Sequence, residues 1–321
     1  MKEPRIIAID WSGRSGHDQR RTLWLAETIG GELVRLENGR TRDQIVDFLV
    51  QEKDRDQHLI VGFDFAFSLP LWYLRDRGLT ARTLWTALAQ EALTPGMRQL
   101  GLARWMNTPE PPFWMTGEAH RLLAPGQKLR RTESEVRAPG FQPKSVFQLV
   151  GAGQVGRGSL YGMQALQQLA ASGFRIWPFD APGLPLVVEI FPRLLTGAVT
   201  KNRQRDREGY LAALAMPSEF RRLAATSEDA FDAAVSALVM AASVDELVDL
   251  RHESDYALEG KIWQPRAAVV FPRAEPGART TAREITSTVA RVIGEAAARG
   301  DGAVPAPRHH LPPTRVDTAR T

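Results

Sequence analysis

The chain has 321 residues, 43% of them hydrophobic, with 41 Lys and Arg against 37 Asp and Glu, a formal net charge of +4 and no cysteine. That length suits one large domain or two modest ones, and the missing cysteines exclude disulfides, zinc–thiolate sites and thiol nucleophiles. No apolar run approaches membrane length and the N-terminal stretch lacks a signal-peptide pattern, so the expectation is a soluble, cytoplasmic protein with no membrane partner.

The first element is IIAIDWSG, residues 6–13, which reads as a strand carrying an acid. Ile6, Ala8 and Asp10 share one face, and Ile7, Ile9 and Trp11 share the other. Both faces are mostly apolar, as in a central strand covered on both sides. A carboxylate at the end of such a strand is costly unless a metal ion, a bound cation or a cluster of donors neutralises it. RSGHDQRR follows as a polar turn. Residues 22–29 and 31–38 then read as a hairpin across Gly30 and Gly31. Residues 41–54 form a helix with Thr41 as N-cap and Ile45, Phe48 and Leu49 as its apolar stripe. The next strand, residues 58–70, places Ile60, Gly62 and Asp64 on one face. If the two acid-bearing strands are parallel neighbours, Asp10 and Asp64 both lie near carboxyl ends, where open sheets place their sites.

Residues 71 to about 143 break this pattern. LTARTLWTALAQEAL is helical, while PEPPFW and APGQ are turns. Trp72, Trp85, Trp105 and Trp114 are interleaved with Arg75, Arg77, Arg82, Arg98 and Arg104. They form either a stacking platform for nucleic acid or, more simply, an insertion with its own small core. The segment after it carries a G-x-G-x-x-G at Gly151, Gly153 and Gly156. It follows the strand-like VFQLV and precedes the helix-like MQALQQLAAS, and a strand then ends at Asp180. A dinucleotide fingerprint has this layout, but Gly158 and Gly162 delay the helix and Pro178 interrupts the second strand. The expectation is that Gly151 to Gly162 serves tight turns or close backbone approach.

LPLVVEIFP is an apolar strand whose one charge, Glu189, is either functional or paired with a cation such as Arg193. The run TKNRQRDREG is a solvated face or a phosphate-tracking surface. Residues 226–242 give the clearest helix, with Thr226 and Asp229 matching a capping box. Phe231, Val235, Leu238 and Ala242 form its buried stripe, and Ala230, Ala233, Ala234 and Ala237 keep it slim enough to approach a sheet. Asp232 has no capping role and is expected to face the strand acids. Residues 256–272 read as a turn and a short strand, 281–299 as a helix, and residues from 300 on as a disordered tail containing His309 and His310.

The order strand-acid, hairpin, helix, strand-acid, insertion, strand and D-x-x-D helix resembles the ribonuclease H-like fold. The D-x-x-D at Asp229 and Asp232 is similar to the last-helix acids of Holliday-junction resolvases. IDWSG, DFAFSLP, PKSVFQLVGAGQVGRGSLYG, WPFD, VVEIFPR, DAFDAAVSAL and LEGKIWQP together resemble an uncharacterised bacterial family of predicted ribonuclease H-like nucleases. The resemblance spans about residues 5–272. It implies an α/β fold, a mixed sheet flanked by helices over residues 1–272 with an insertion at about 71–143. Residues 273–299 would be a C-terminal loop and helix, and 300–321 the tail.

The resemblance also implies two-metal phosphodiester hydrolysis with Mg2+ or Mn2+, the ions roughly 3.5–4 Å apart. Asp10 would bridge both ions, Asp64 would hold one and Asp232 the other, with Asp229 or Glu189 as a fourth ligand. Lys144, Arg157, Arg193, Lys201 and Arg203 are the candidate contacts to a nucleic-acid partner. The pI of about 9.6 permits that partner without demanding it. The alternatives are a dinucleotide-binding enzyme built on Gly151 to Asp180 and a catalytically inactive binding protein of the same fold. A second phosphate loop of the D-x-G type, as an actin-like ATPase would need, is not expected here.

Overall fold

The computed structural model describes residues 3–115, 123–136, 143–151, 154–197 and 199–266. The strand expected at 267–272, the helix at 281–299, the tail with His309 and His310, and Gly153 lie outside these residues. The strands are β1 (Arg5–Asp10), β2 (Trp24–Ile29), β3 (Glu32–Glu37), β4 (Leu59–Phe63), β5 (Arg175–Ile176) and β6 (Leu186–Glu189). They form one mixed sheet in the order β3-β2-β1-β4-β6-β5. The first hairpin runs antiparallel to β1, while β1, β4, β6 and β5 are mutually parallel.

The helices are α1 (His17–Thr22), α2 (Arg42–Arg55), α3 (Leu71–Arg75), α4 (Ala81–Ala89), α5 (Pro95–Leu100), α6 (Leu102–Trp105) and α7 (Arg131–Glu135). After them come α8 (Gly156–Ala171), α9 (Pro192–Thr196), α10 (Gln204–Ala212), α11 (Ser218–Ala225), α12 (Glu228–Ala242) and α13 (Val244–Val248). Period-two alternation in β1 sorts them into two layers. Ile7, Ile9 and Trp11 pack with side chains of α2, α4 and α8. Ile6 and Ala8 pack with α12 and the Trp24 face of the hairpin. The alanine-rich face of α12 lies very close to the sheet, as its small side chains predict. A Cβ on Gly62 would sit 2.5 Å from the Met240 sulfur.

Several local expectations change. The polar stretch after β1 contains the short helix α1. Thr41 does cap α2, reciprocated by Gln44 in a full capping box. Residues 146–150 form a turn and not a strand, apart from one bridge between Gln148 and Trp114. Residues 174–180 shrink to the two-residue β5 at the sheet edge. Among the described residues of the insertion, Trp85, Trp105, Trp114 and Phe113 belong not to a separate core but to the cluster that covers the β1–β4 face. A stacking platform is ruled out for Trp85 and Trp105, which are fully buried. Their indole N–H groups donate to the Phe67 carbonyl and to Glu110. Two buried Trp rings outweigh any surface role for them, because such side chains dominate core energetics.

The glycine-rich segment also differs from the expectation. Helix α8 begins at Gly156 and runs straight through Gly158 and Gly162. Each of these glycines meets another part of the chain. A Cβ on Gly156 would lie 2.4 Å from the Val146 carbonyl oxygen, and one on Gly162 would lie 2.4 Å from the Phe65 ring. Gly158 faces Gly13, where a Cβ would lie 2.6 Å from the Gly158 nitrogen. The loop after β1 is thereby pressed on the first turn of α8, and the Trp11 indole donates to the Gly158 carbonyl at 3.0 Å. We expect Gly162→Ala to destabilise the protein. Alanine gains about 0.5–1 kcal/mol of helix propensity, but overpacking costs about 1–3 kcal/mol. A urea midpoint equal to wild type would show that α8 has room to move off Phe65.

Candidate metal site

Two backbone features bring the first two acids together. β1 and β4 are parallel with Ala8 opposite Gly62, so Asp10 and Asp64 leave the sheet at the same end. The Asp64 N–H donates to the Ile9 carbonyl at 3.1 Å, which extends the ladder by one more bond. Small residues precede both acids, and α12 uses that space to cross the sheet. The cap of α12 is Ser227, whose hydroxyl accepts from the Ala230 N–H, and not Thr226. Thr226 instead donates its hydroxyl to the Leu223 carbonyl. Asp229 therefore falls at the second helical position, outside the capping box expected for it. One turn along, Asp232 is only 8% exposed although it is a carboxylate.

The four aspartates act on one another. Asp10 and Asp64 are half-buried, and the charge of Asp64 bears on Asp10. Burial pushes the Asp10 carboxyl well above its usual range, and the charges of Asp64, Asp229 and Asp232 push it the same way. Burial, followed by repulsion from Asp232, pushes Asp64 up to about 7. Burial pushes Asp232 up to about 6 against the pull of Lys201, and burial together with Glu228 raises Asp229. Asp10, Asp64 and Asp232 thus lie near enough for their charges to bear on one another.

A metal ion fits this donor set chemically. Every donor is a carboxylate oxygen, the type that Mg2+ and Mn2+ take. One oxygen of Asp232, Oδ1, is buried with no hydrogen-bond partner. A buried acceptor without a partner normally costs about 1–3 kcal/mol. Among the described residues, no three His, Asp or Glu side chains already stand grouped to hold a metal. Asp232 has another partner in place. Lys201 places its ammonium 2.5 Å from Asp232 Oδ2, with both side chains largely buried.

The remaining site candidates divide. Glu189 is not paired with Arg193. Its two oxygens take both terminal nitrogens of Arg130, one at 2.9 Å, and Oε2 also accepts the Phe67 N–H at 2.9 Å. Arg193 donates to the Val199 carbonyl and so fixes the loop that carries Lys201. Arg207, in the basic run, is buried and donates to the Ala225 and Lys201 carbonyls. That run is therefore neither a solvated face nor a phosphate track throughout, although Arg203 is exposed. Arg157 is half-buried and donates to Asn107 at 3.2 Å. Lys144 is exposed and lines a cavity of about 300 Å3 beside Asp64, with Trp11, Phe65, Val155 and Phe191 among its walls.

Among the described residues the dinucleotide layout lacks its leading strand, and Gly156 is packed on the Val146 and Gln148 carbonyls. Asp180 is taken by Arg82 and by the Ile176 N–H. Sequence reasoning missed Arg130 altogether. Its only local signal was Glu133 three residues on, in RRTESE. It also missed Arg14, whose charge acts on Asp229.

A pH prediction follows from the raised acids. In the folded, metal-free protein Asp64 and Asp232 keep protons that the unfolded chain releases near pH 4. Where the folded state binds more protons, stability falls as pH rises. Metal-free stability should therefore decline between about pH 4 and pH 7, by roughly 1.4 kcal/mol for each unit of displacement. Melts in EDTA across this window should show a flatter slope for Asp64→Asn. Equal slopes for the two proteins would show that Asp64 ionises in the folded state as it does in the unfolded chain.

No helix among the described residues is long and apolar enough to cross a membrane. No family model matches the chain, and neither curated proteins nor solved structures give a match.

Proposed function

We propose that this chain is a divalent-metal-dependent nuclease with a ribonuclease H-like sheet. The observation that supports the reading is the placement of three acids on neighbouring elements: Asp10 at the end of β1, Asp64 just after the adjacent parallel β4, and Asp232 on α12, which packs against both strands. The sheet order, with an antiparallel hairpin on one side of β1 and parallel strands on the other, supports the fold assignment. Asp10, Asp64 and Asp232 would hold Mg2+ or Mn2+, and Asp229 is the nearer candidate for a fourth ligand because the Glu189 oxygens are held by Arg130. When bound, such an ion supplies positive charge against a phosphodiester and activates water for attack.

The chain's own groups supply the rest. Lys144 offers a charge-assisted contact to a backbone phosphate at the cavity beside Asp64. The apolar walls of that cavity suit an unstacked base or sugar of a single strand. Rigid strand ends hold Asp10 and Asp64 in position, because their backbone is tied into the ladder. The test is cleavage of labelled single-stranded DNA, RNA and hybrid duplex with Mg2+ or Mn2+. Cleavage that EDTA stops supports the reading. If the protein binds neither metal nor nucleic acid, and cuts none of the three, the reading is wrong.

A further inference from the structure

The loop that follows β1 opens onto a basic surface. Residues 12–22 and 38–44 contain Arg14, Arg20, Arg21, Arg40 and Arg42 against Asp18 and Asp43. Arg40 is paired with Glu37, so four arginines remain against two aspartates. Hydrogen bonds join the two segments. Arg42 Nη1 donates to the Ser12 carbonyl at 2.9 Å and to the Arg14 carbonyl at 2.8 Å. Arg20 Nη1 donates to the Gly39 carbonyl at 2.7 Å and to Gln44 Oε1 at 2.8 Å, and the Asn38 amide donates to the Arg21 carbonyl at 3.1 Å. Arg14, Arg20 and Arg21 are exposed. Among the described residues, the guanidinium groups of Arg14 and Arg21 have no hydrogen bond or ion pair. Arg157, Arg193 and Lys201, by contrast, are bonded to Asn107, Val199 and Asp232.

Arg42 is the fixed centre of this surface. It is half-buried, and its guanidinium lies 3.9 Å from the centre of the Tyr161 ring. Among the described residues its Nε and Nη2 have no hydrogen-bond partner, because both of its side-chain bonds come from Nη1. It lines a cavity of about 230 Å3 with Gln19, Asp43, Tyr161, Gln164 and Gln168. Asp43 is exposed and forms no ion pair with Arg42 among the described residues. A guanidinium tied down at one nitrogen and stacked on a ring holds its other N–H groups in one plane, the fork that matches a phosphate. The amides beside it offer donors and acceptors to a sugar or a base edge. A lipid surface fits less well, since binding there uses apolar area as well as charge. The large exposed apolar side chains among the described residues, Ile29, Val34, Leu100 and Val248, all lie elsewhere. The surface also adjoins the candidate site: Gly13 lines the cavity beside Asp64, and Arg14 is the next residue. Resting on the nuclease reading for the choice of partner, we infer that Arg14, Arg20, Arg21 and Arg42 hold the sugar–phosphate backbone of a nucleic-acid strand that leads to that cavity.

The test measures binding of a labelled oligothymidylate to the full chain in EDTA, which separates binding from cleavage, over a range of salt. Each phosphate contact to a single strand contributes about 0.7 to the slope of log K against log salt. Arg14→Gln combined with Arg21→Gln should therefore flatten the wild-type slope by about 1.4. The melting temperature should stay as it is, because neither side chain is bonded within the fold. Arg98→Gln combined with Arg104→Gln removes the same charge from exposed positions of α5 and α6 and should leave the slope nearly unchanged. Equal flattening by the two pairs would mean that net charge alone attracts the strand, and the inference would fall. An unchanged slope in the Arg14 and Arg21 pair would sink it as well. So would DNA binding that survives in that pair while binding to phosphatidylserine vesicles is lost, which would give the surface to a membrane. A wild type that does not bind the oligonucleotide in EDTA also overturns the inference, whereas the nuclease reading fails only if the protein binds no metal and cuts nothing.

Discussion

Asp10→Asn is expected to abolish metal-dependent cleavage while leaving the metal-free fold as stable as wild type, or more so. Asp10 sits where β1 ends, and the charges of Asp64, Asp229 and Asp232 repel it. Changes to groups that only support a metal ligand typically cost about 10–100-fold. Loss of the ligand nearest both partner acids should cost at least about 100-fold. The folded state has the opposite preference. Burial and like charges disfavour ionised Asp10, and an asparagine amide in its place donates to Asp64 without adding charge. Cleavage rates and melting in EDTA measure the two effects on the same protein. A variant that melts well below wild type in EDTA would make Asp10 a structural acid, and the nuclease reading would lose its first ligand.

Arg130→Ala should produce the largest loss of stability. The guanidinium is fully buried, and its donors are distributed over three acceptors. Nε donates to Glu133 at 2.8 Å, and one terminal nitrogen donates to both Glu189 and the Glu259 carbonyl at 2.9 Å. The other terminal nitrogen contacts Glu133 and Glu189. Burial works against the charged guanidinium, yet the two carboxylates hold its pKa above the ordinary arginine value. Removing one partner of such a group leaves uncompensated buried charge and costs about 3–5 kcal/mol. Here two carboxylates are stranded, so the upper end applies. Replacing the whole group with neutral side chains, Arg130→Met with Glu133→Gln and Glu189→Gln, should recover much of the loss. Urea unfolding of the two proteins decides it. If Arg130→Ala unfolds within about 1 kcal/mol of wild type, water reaches the stranded acids and the network is not closed.

The network also separates two kinds of acid that the sequence presents alike. Asp64 and Glu189 both end apolar parallel strands beside each other in the sheet. Glu189 is matched by Arg130 from the insertion and by the Phe67 N–H, so it ties the insertion and the 256–263 segment to the sheet. Asp64 instead feels the charges of Asp232, Lys201 and Glu189. A carboxylate with a buried bidentate arginine is spent on structure, whereas one without such a partner is free for another role.

Local pattern determined much of this protein. Alternation in IIAIDWSG predicts a strand buried on both faces, and β1 is the central strand with a core on each side. The same alternation puts Asp10 and Asp64 at equivalent strand ends, and helical spacing in α12 places Asp232 on its buried side. The alanines of that helix announce its close approach to the sheet. These features are legible because period and side-chain size act within a few residues. The partners of the buried charges were not legible. Glu189 finds Arg130 59 residues away, and Asp232 finds Lys201 31 residues away. Arg193 and Arg130 are equally good donors as sequence, and only the path of the chain brings one of them to Glu189. The glycine motif failed in the same way, since a turn for a phosphate and a seat for another backbone need the same missing Cβ. Which of them Gly156 and Gly158 provide was decided by Val146, Gln148 and Gly13 packing against them. Pairing of buried charge and filling of backbone gaps depend on what lies across the fold, and that information exists only once the chain has closed on itself.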